Sequence, residues 1–373
     1  MKTYFQNKTT TIHPRYKRNL KRALSFGFIW FIFGLVYSLL EYGLLGDSKL
    51  YPTTGNAYEP LNSFLFTLPC SFFVGFVQGW VEITWLRYKF RRRSFWVKIL
   101  FKTLFYLLFI VIFLVILTLI SNAALLKKGI FDAEVISNLF GFISSFSFWS
   151  IVFYMGVIMD AALFYSELTE HLGNEVLYNF SFGKYHKPKQ ETRIFMFLDM
   201  KSSTTIAEEI GHIKYFDLLK LYYSHMTNAI LETSGEIYQY VGDEIVITWT
   251  EEVGLSNNNC IECYFKIEDT IHKKRDRYLK SFGLVPEFKA GYHIGKVSAG
   301  QIGVLKKEIV YTGDVLNTSA RIQSECNNYN SSILISGILA NKLNSEANWV
   351  SDKKGEIILR GKTEAVELFA ISK

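Results

Sequence analysis

The chain has 373 residues, 49% hydrophobic and 16% aromatic, with a formal net charge of +7 and four cysteines. That length excludes a single small domain and suggests two or three units. Four cysteines do not make a disulfide framework, and the basic excess sits mostly beside apolar runs, so membrane headgroups rather than nucleic acid are the expected anionic partner.

In chain order, the first elements are four long apolar runs, Leu24–Leu45, Phe64–Leu86, Thr103–Ile120 and Leu139–Met159, the last two without any charge. Each is long enough to span a bilayer. Buried helices of a soluble protein would need faces polar enough to meet water, and "TLFYLLFIVIFLVILTLI" has none. Seven Lys and Arg lie in residues 1–22 and six in "RYKFRRRSFWVK", whereas the 47–60 loop has only Lys49 and the 122–138 loop only Lys127 and Lys128. This bias predicts a multi-pass protein of the inner (plasma) membrane with both termini cytoplasmic. The first run is an anchor rather than a cleavable signal peptide. Glu41, Glu82 and Asp160 are the candidate intramembrane acids, and they fall near span ends, where interfacial solvation accounts for them. No motif in the four spans encodes the ligand or signal they would receive.

Past Met159, "DAALFYSELTEHLGNEVLYNF" mixes charge into a helical pattern that continues the fourth span, and "SFGKYHKPKQ" breaks it. The predicted division is a basic cytoplasmic N-terminus (1–23), a membrane domain of four helices (24–165), a signalling helix and linker (160–190) and a soluble domain (191–373). In the soluble domain strands and helices alternate in an order that predicts α+β, with a mainly antiparallel sheet and flanking helices. "RIFMFLD" is the first strand and ends at Asp199. Ser202, Ser203 and Thr205 follow as capping types, and Thr205 with Glu208 fits a capping box. A helix start favours phosphate, yet phosphate repels Asp199 unless a divalent cation lies between them.

"YQYVGDEIVITW" reads as a hairpin that sets Asp243 and Glu244 directly after the turn glycine. If the first strand lies beside this hairpin, Asp199 and Asp243 converge, and two carboxylates with phosphate oxygens make a hard-cation site. Strand alternation sends Glu244 to the other face. Cys260 and Cys263 form a lone CxxC within an amphipathic pattern and read as packing residues. Then "GYHIGKVSAGQIG" brings closely spaced glycines, and "GDVLNTSARI" places Asn317 and Arg321 four apart, on one helical face. Singly these residues read as bulges, a cap and a surface ion-pair partner. Together they suit a sugar oxygen and a phosphate.

"FLDMKSST", "VGDEIVI", "GYHIGKVSAGQIG" and "GDVLNTSARI" occur in the order in which their counterparts stand in the class III nucleotidyl cyclases, and the soluble domain resembles that family, in its membrane-anchored bacterial form. The resemblance implies a ferredoxin-like α+β catalytic domain that turns a nucleoside triphosphate into its 3′,5′-cyclic nucleotide and pyrophosphate. It implies two divalent cations, Mg²⁺ or Mn²⁺, on Asp199, Asp243 and the Met200 carbonyl. It implies phosphate contacts at Ser202, Ser203, Thr204, Lys296 and Lys362 (or Arg360 beside it), with Asn317 on the ribose and Arg321 on the charge that develops at phosphorus. A homodimer is implied too, with the metal carboxylates from one copy and the Asn/Arg pair from the other. Adenylate cyclases usually carry Lys four residues before the second metal Asp; here that residue is Gln239, and the partner position falls on Val310. This pair matches neither the adenylate nor the guanylate pattern. ATP is expected on frequency in the family, with a guanylate or pyrimidine cyclase as the alternative. A catalytically silent nucleotide-binding receptor would usually have lost Asp199, Asp243 or Arg321, and all three are present.

Overall fold

The computed structural model describes residues 14–46, 48–50, 58–89, 94–172, 183–344, 349–361 and 363–373. They form two compact units, a helical one and an α/β one. In the helical unit α1 is Pro14–Leu45, α2 Pro60–Val81, α3 Phe95–Leu126, α4 Ala133–Ile143 and α5 Phe146–Leu172. Four segments are long and apolar enough to cross a membrane: Tyr16–Leu45, Pro60–Leu86, Phe95–Ala124 and Phe146–His171. Their outward residues include Leu65, Phe66, Leu108, Phe109 and Phe153, all exposed, an exterior suited to lipid rather than water. Gly75 and Gly79 of α2, spaced as in GxxxG, admit Trp30 and Phe26 of α1; an added Cβ would come within 2.6 and 2.9 Å of them.

Two features of the helical unit depart from the sequence pattern. The fourth apolar run, Leu139–Met159, is not one helix: α4 stops at Ile143 and α5 starts at Phe146. Ser144 and Ser145 make the break, the Ser145 hydroxyl donating to the Phe142 carbonyl and accepting from the Phe148 amide, which is how serine competes with helix bonding. Glu82 is not a solvated end residue either. It opens a π-helical turn, Glu82–Leu86, that continues α2, and only 3% of its side chain is exposed, against Lys102. Glu41 accepts from Tyr37 and Ser63, and Asp160 from Thr103.

The α/β unit is built on β1 (Lys189–Met200), β2 (Glu236–Val241), β3 (Glu244–Thr250), β4 (Phe288–Ile302), β5 (Glu308–Thr312), β6 (Ile333–Ser336), β7 (Val350–Ile357) and β8 (Val366–Ser372). Their order is β2-β3-β1-β4-β6-β8-β7, with β5 paired to β4. Only β4 and β6 run parallel among these pairs. The first four strands and the helices between them make a βαββαβ unit in ferredoxin-like order. Helices α6 (Ser203–Ile210) and α7 (His212–Glu232) join β1 to the hairpin; α8 (Glu251–Leu255), α9 (Asn259–Lys273) and α10 (Arg275–Phe282) follow it; α11 (Asp314–Glu325) and α12 (Gly337–Ala340) come later.

Alternation along β1 separates the two faces of the sheet. Ile194, Met196, Leu198 and Met200 enter the main core with Leu218, Tyr222, Ile261 and Ile267 of α7 and α9, where Cys260 and Cys263 are also buried. Phe195 and Phe197 take the other face, with Tyr311 and Val315. Asp199 shares their parity. Gly291 on β4 lets α11 press onto the sheet, since a Cβ there would lie 2.2 Å from the Gln323 backbone nitrogen.

Candidate active site

Asp199 comes one residue before the end of β1, and Asp243 occupies the turn between β2 and β3. The register brings them together: β1 pairs antiparallel with β3 up to Leu198↔Ile245, so the end of β1 arrives at the hairpin turn. Gly242 adopts φ +64 with open space around it, so the turn requires glycine for its backbone and not for room. From α7, the Tyr223 hydroxyl donates to the Gly242 carbonyl at 2.9 Å, and its ring lies 4.6 Å from that of Tyr240. The turn carrying Asp243 is thereby held from below.

Burial first, then hydrogen bonding and charge repulsion from Asp243, raise the Asp199 carboxyl to about 6, against the pull of Lys289 and Gln323. Gln323 Nε2 donates to Asp199 Oδ2 at 3.2 Å, and Lys289 Nζ stands 3.8 Å from the same oxygen. Glu244 is half-buried, and burial with the charges of Asp199 and Asp243 pushes it to about 7. It lies within the field of both aspartates, a closer relation than strand alternation alone predicts. Two acids that crowd each other beside a strand end form a place of surplus negative charge, which a hard cation would relieve. Among the described residues no group of three or more Asp, Glu, His or Cys is arranged for a metal, so further oxygens would come from backbone and substrate. The Met200 side chain is buried in the helix-covered core, leaving its backbone for that purpose.

Ser202, Ser203 and Thr204 follow at the start of α6. Of the expected capping types Ser202 takes the N-cap position, in the left-handed region at φ 54 and without a side-chain capping bond, while the Thr205–Glu208 capping box is displaced because the helix already begins at Ser203. Thr205 therefore lies inside the first turn instead of capping it.

Asn317 and Arg321 both lie on α11, Asn317 exposed and Arg321 half-buried. At 3.6 residues per turn, Gln323 points about 160° round the helix from Arg321 and about 120° from Asn317. The face of α11 that meets Asp199 is thus not the face that carries the Asn/Arg pair. Gly361, at φ +73, lies against Arg321, with an added Cβ 3.4 Å from its Nη2; the neighbouring Lys362 lies outside the described residues. Lys296 is exposed on β4 seven positions along from Lys289, the partner of Asp199, which is roughly 23 Å of strand. Its carbonyl adjoins Gly313 at the entry to α11, so it belongs with the Asn317 half. Gln239 is exposed on the edge strand β2, and Val310 is on β5. Their chain neighbours Tyr238 and Tyr311 have ring centroids 5.2 Å apart, so the two strands approach each other there.

Gln323, Lys289 and Tyr223 were not foreseen from the sequence. The one signal was for Gln323, six residues beyond Asn317 on the buried side of an amphipathic helix.

A family model described as the adenylate and guanylate cyclase catalytic domain matches residues 185–373. Adenylate cyclase 2 of Rhizobium meliloti (strain 1021) is 33% identical over 210 residues, 56% of this chain and 58% of that protein. An adenylate cyclase of Anabaena cylindrica is 25% identical over 185 residues, 47% of this chain and 36% of that one. The chain thus spans between about a third and three-fifths of these relatives. The solved structure of a bacterial light-regulated adenylyl cyclase superposes with a TM-score of 0.51 at 20% identity, over 61% of this chain and 66% of that one, a likeness of fold.

Proposed function

The chain belongs to the adenylate and guanylate cyclase catalytic-domain family, and from that premise we propose that it is a membrane-anchored cyclase acting on ATP at sites shared between two copies. The observation that carries this reading is the crowding of Asp199 by Asp243 at the meeting of β1 and the hairpin. Asp199, Asp243 and the Met200 carbonyl would hold two divalent cations, Mg²⁺ or Mn²⁺, which when bound supply activation of the ribose 3′ hydroxyl and neutralisation of the triphosphate.

The chain's own residues do the rest. Gln323 and Lys289 orient Asp199 and temper its charge. The amides at the start of α6, with Ser202, Ser203 and Thr204, suit the phosphates. Asn317 positions the ribose so that its oxygen lies in line with the α-phosphorus. Arg321 stabilises charge that grows in the transition state, so its loss lowers kcat more than it raises KM. Because α11 offers Asp199 one face and carries Asn317 and Arg321 on another, a second copy of the chain would complete each site. Exposed apolar residues beside the hairpin (Ile237, Tyr240, Val241) and at the β4–β5 tip (Val304, Leu305) suit such a contact. Gln239 can both donate to and accept from a base edge while Val310 only packs, which favours weak discrimination between bases.

The domain plan follows: membrane domain, signalling helix and linker, then catalytic domain, with both termini cytoplasmic at the plasma membrane. Most of the linker, residues 173–182, lies outside the described residues. The test is incubation of purified protein with each nucleoside triphosphate and Mg²⁺ or Mn²⁺, followed by mass identification of the product. Cyclic AMP with pyrophosphate is expected; no cyclic product from any triphosphate would overturn the reading.

A further inference from the structure

Three helices of the helical unit bring polar side chains to one interior point: Glu82 on the π turn that continues α2, Lys98, Lys102 and Tyr106 on α3, and Glu167 on α5, with the largely exposed His171 at its rim. Lys102 Nζ lies 2.5 Å from Glu82 Oε1 and 2.7 Å from Glu167 Oε1, and none of the three side chains is more than 4% exposed. Lys98 Nζ and His171 Nε2 stand 3.5 and 3.9 Å from Glu167 Oε2, and the Tyr106 hydroxyl lies 3.4 Å from Glu82 Oε2. The helices around this point bury an apolar core that includes Phe26, Leu86, Ile110, Met159 and Leu163.

Stability does not account for such a cluster. Removing three ionised groups from water is costly, and well-packed apolar residues in their place are often as stable or more so. What charge adds is register: one ammonium between two carboxylates allows a single rotational and axial setting of three helices, where leucines would allow several. The π turn that aims Glu82 inward is a local irregularity of the kind found at functional places. The position of Glu167 completes the case. It lies one and a half turns before the end of α5 at Leu172, and the cyclase-family match begins at residue 185, so α5 is the covalent lead into the catalytic unit.

We infer that Glu82, Lys102 and Glu167 form a register lock that sets α5 against α2 and α3, and through α5 sets the cyclase output. The inference rests on the cyclase reading above for its output, but not for the lock. Replacing all three charges at once (Glu82→Met, Lys102→Met, Glu167→Met) in the full chain, reconstituted in lipid nanodiscs, separates register from stability. The variant is expected to insert and unfold at no lower temperature than the parent, amides of residues 160–172 are expected to exchange about tenfold faster or more, and cyclic-nucleotide turnover is expected to change by about fivefold or more. The single change Glu167→Gln, which keeps an acceptor for Lys102, is expected to give smaller shifts in the same direction and serves if the triple variant does not insert. Faster exchange with unchanged turnover overturns the coupling; unchanged exchange overturns the lock. A parent chain that makes no cyclic nucleotide while the exchange difference persists leaves the lock standing and removes the cyclase reading.

Discussion

In the helical unit Glu82 and Glu167 meet one ammonium at 2.5 and 2.7 Å, whereas in the α/β unit Asp199 lies beside another carboxylate, with the Lys289 ammonium 3.8 Å away. The first arrangement is closed: opposite charges are matched inside an apolar bundle and ask for nothing further. The second is open, because two acids repel each other at the end of a strand, with an amide and a more distant lysine as partial compensation. Under the proposed reading, that surplus of negative charge is what a cation carrying a polyphosphate would relieve. The same chemical group is therefore charge-matched in one unit and crowded by its like in the other.

Neutralising one carboxylate tests that contrast most strongly. Asp243→Asn is expected to lower kcat by roughly a hundredfold or more, yet to leave the thermal midpoint unchanged or raised, since it removes repulsion from Asp199. Glu244→Gln is expected to keep activity within about threefold, because Glu244 feels the aspartates without lying where they converge. In the helical unit the signs reverse. Lys102→Met strands the buried Glu82 carboxylate and leaves Glu167 to Lys98 at 3.5 Å, and is expected to cost about 3 kcal/mol of stability, read as a lower midpoint for the full chain in detergent. An Asp243→Asn chain as unstable as Lys102→Met would erase the distinction between the closed and open arrangements.

The proposed sharing of the second site between two copies can be broken in the same way. Asp199→Ala and Arg321→Ala chains are each expected to be nearly inactive, and co-expression is expected to restore about a quarter of wild-type activity. Half the dimers pair the two mutants at random, and each of these contains one intact site of two. Mixed dimers proven by differential tags but no more active than the mean of the two mutants would place all four residues on one chain.

What the sequence made legible differs between the units for the same reason. The approach of Asp199 and Asp243 was legible, because an acid at a strand end and an acid in a hairpin turn converge once the two strands are neighbours, and the βαββαβ order could be read from alternation and turns. Gln323 and Lys289 were not legible, because their approach to Asp199 depends on the β1–β4 register, Asp199↔Lys289, and on the close packing that Gly291 permits. The ion cluster was hidden differently. Glu82 looked like an interfacial acid, and Lys102 and Glu167 fall outside the apolar runs Thr103–Ile120 and Leu139–Met159; only the helix packing shows that the three share one point. The break at Ser144–Ser145 was masked because an uncharged run has no pattern to interrupt.

The smallest expected effect concerns a titratable group that belongs to neither arrangement. His225 on α7 lies with its Nδ1 2.8 Å from the Tyr278 hydroxyl, and burial, then the charges of Arg277 and Lys274, hold its pKa below the ordinary histidine value. The folded chain therefore stays neutral at His225 at a pH where the unfolded chain has begun to bind a proton. Between the unfolded value near 6.5 and the lower folded one, unfolding takes up protons, so this contribution to stability is whole above about pH 6.5 and declines as the pH falls. His225→Asn, which retains a polar atom for Tyr278 but does not titrate, is expected to flatten part of the fall in thermal midpoint between pH 7 and 5 while leaving the midpoint at pH 8 nearly unchanged. Identical pH profiles for parent and variant would show that His225 titrates alike in both states.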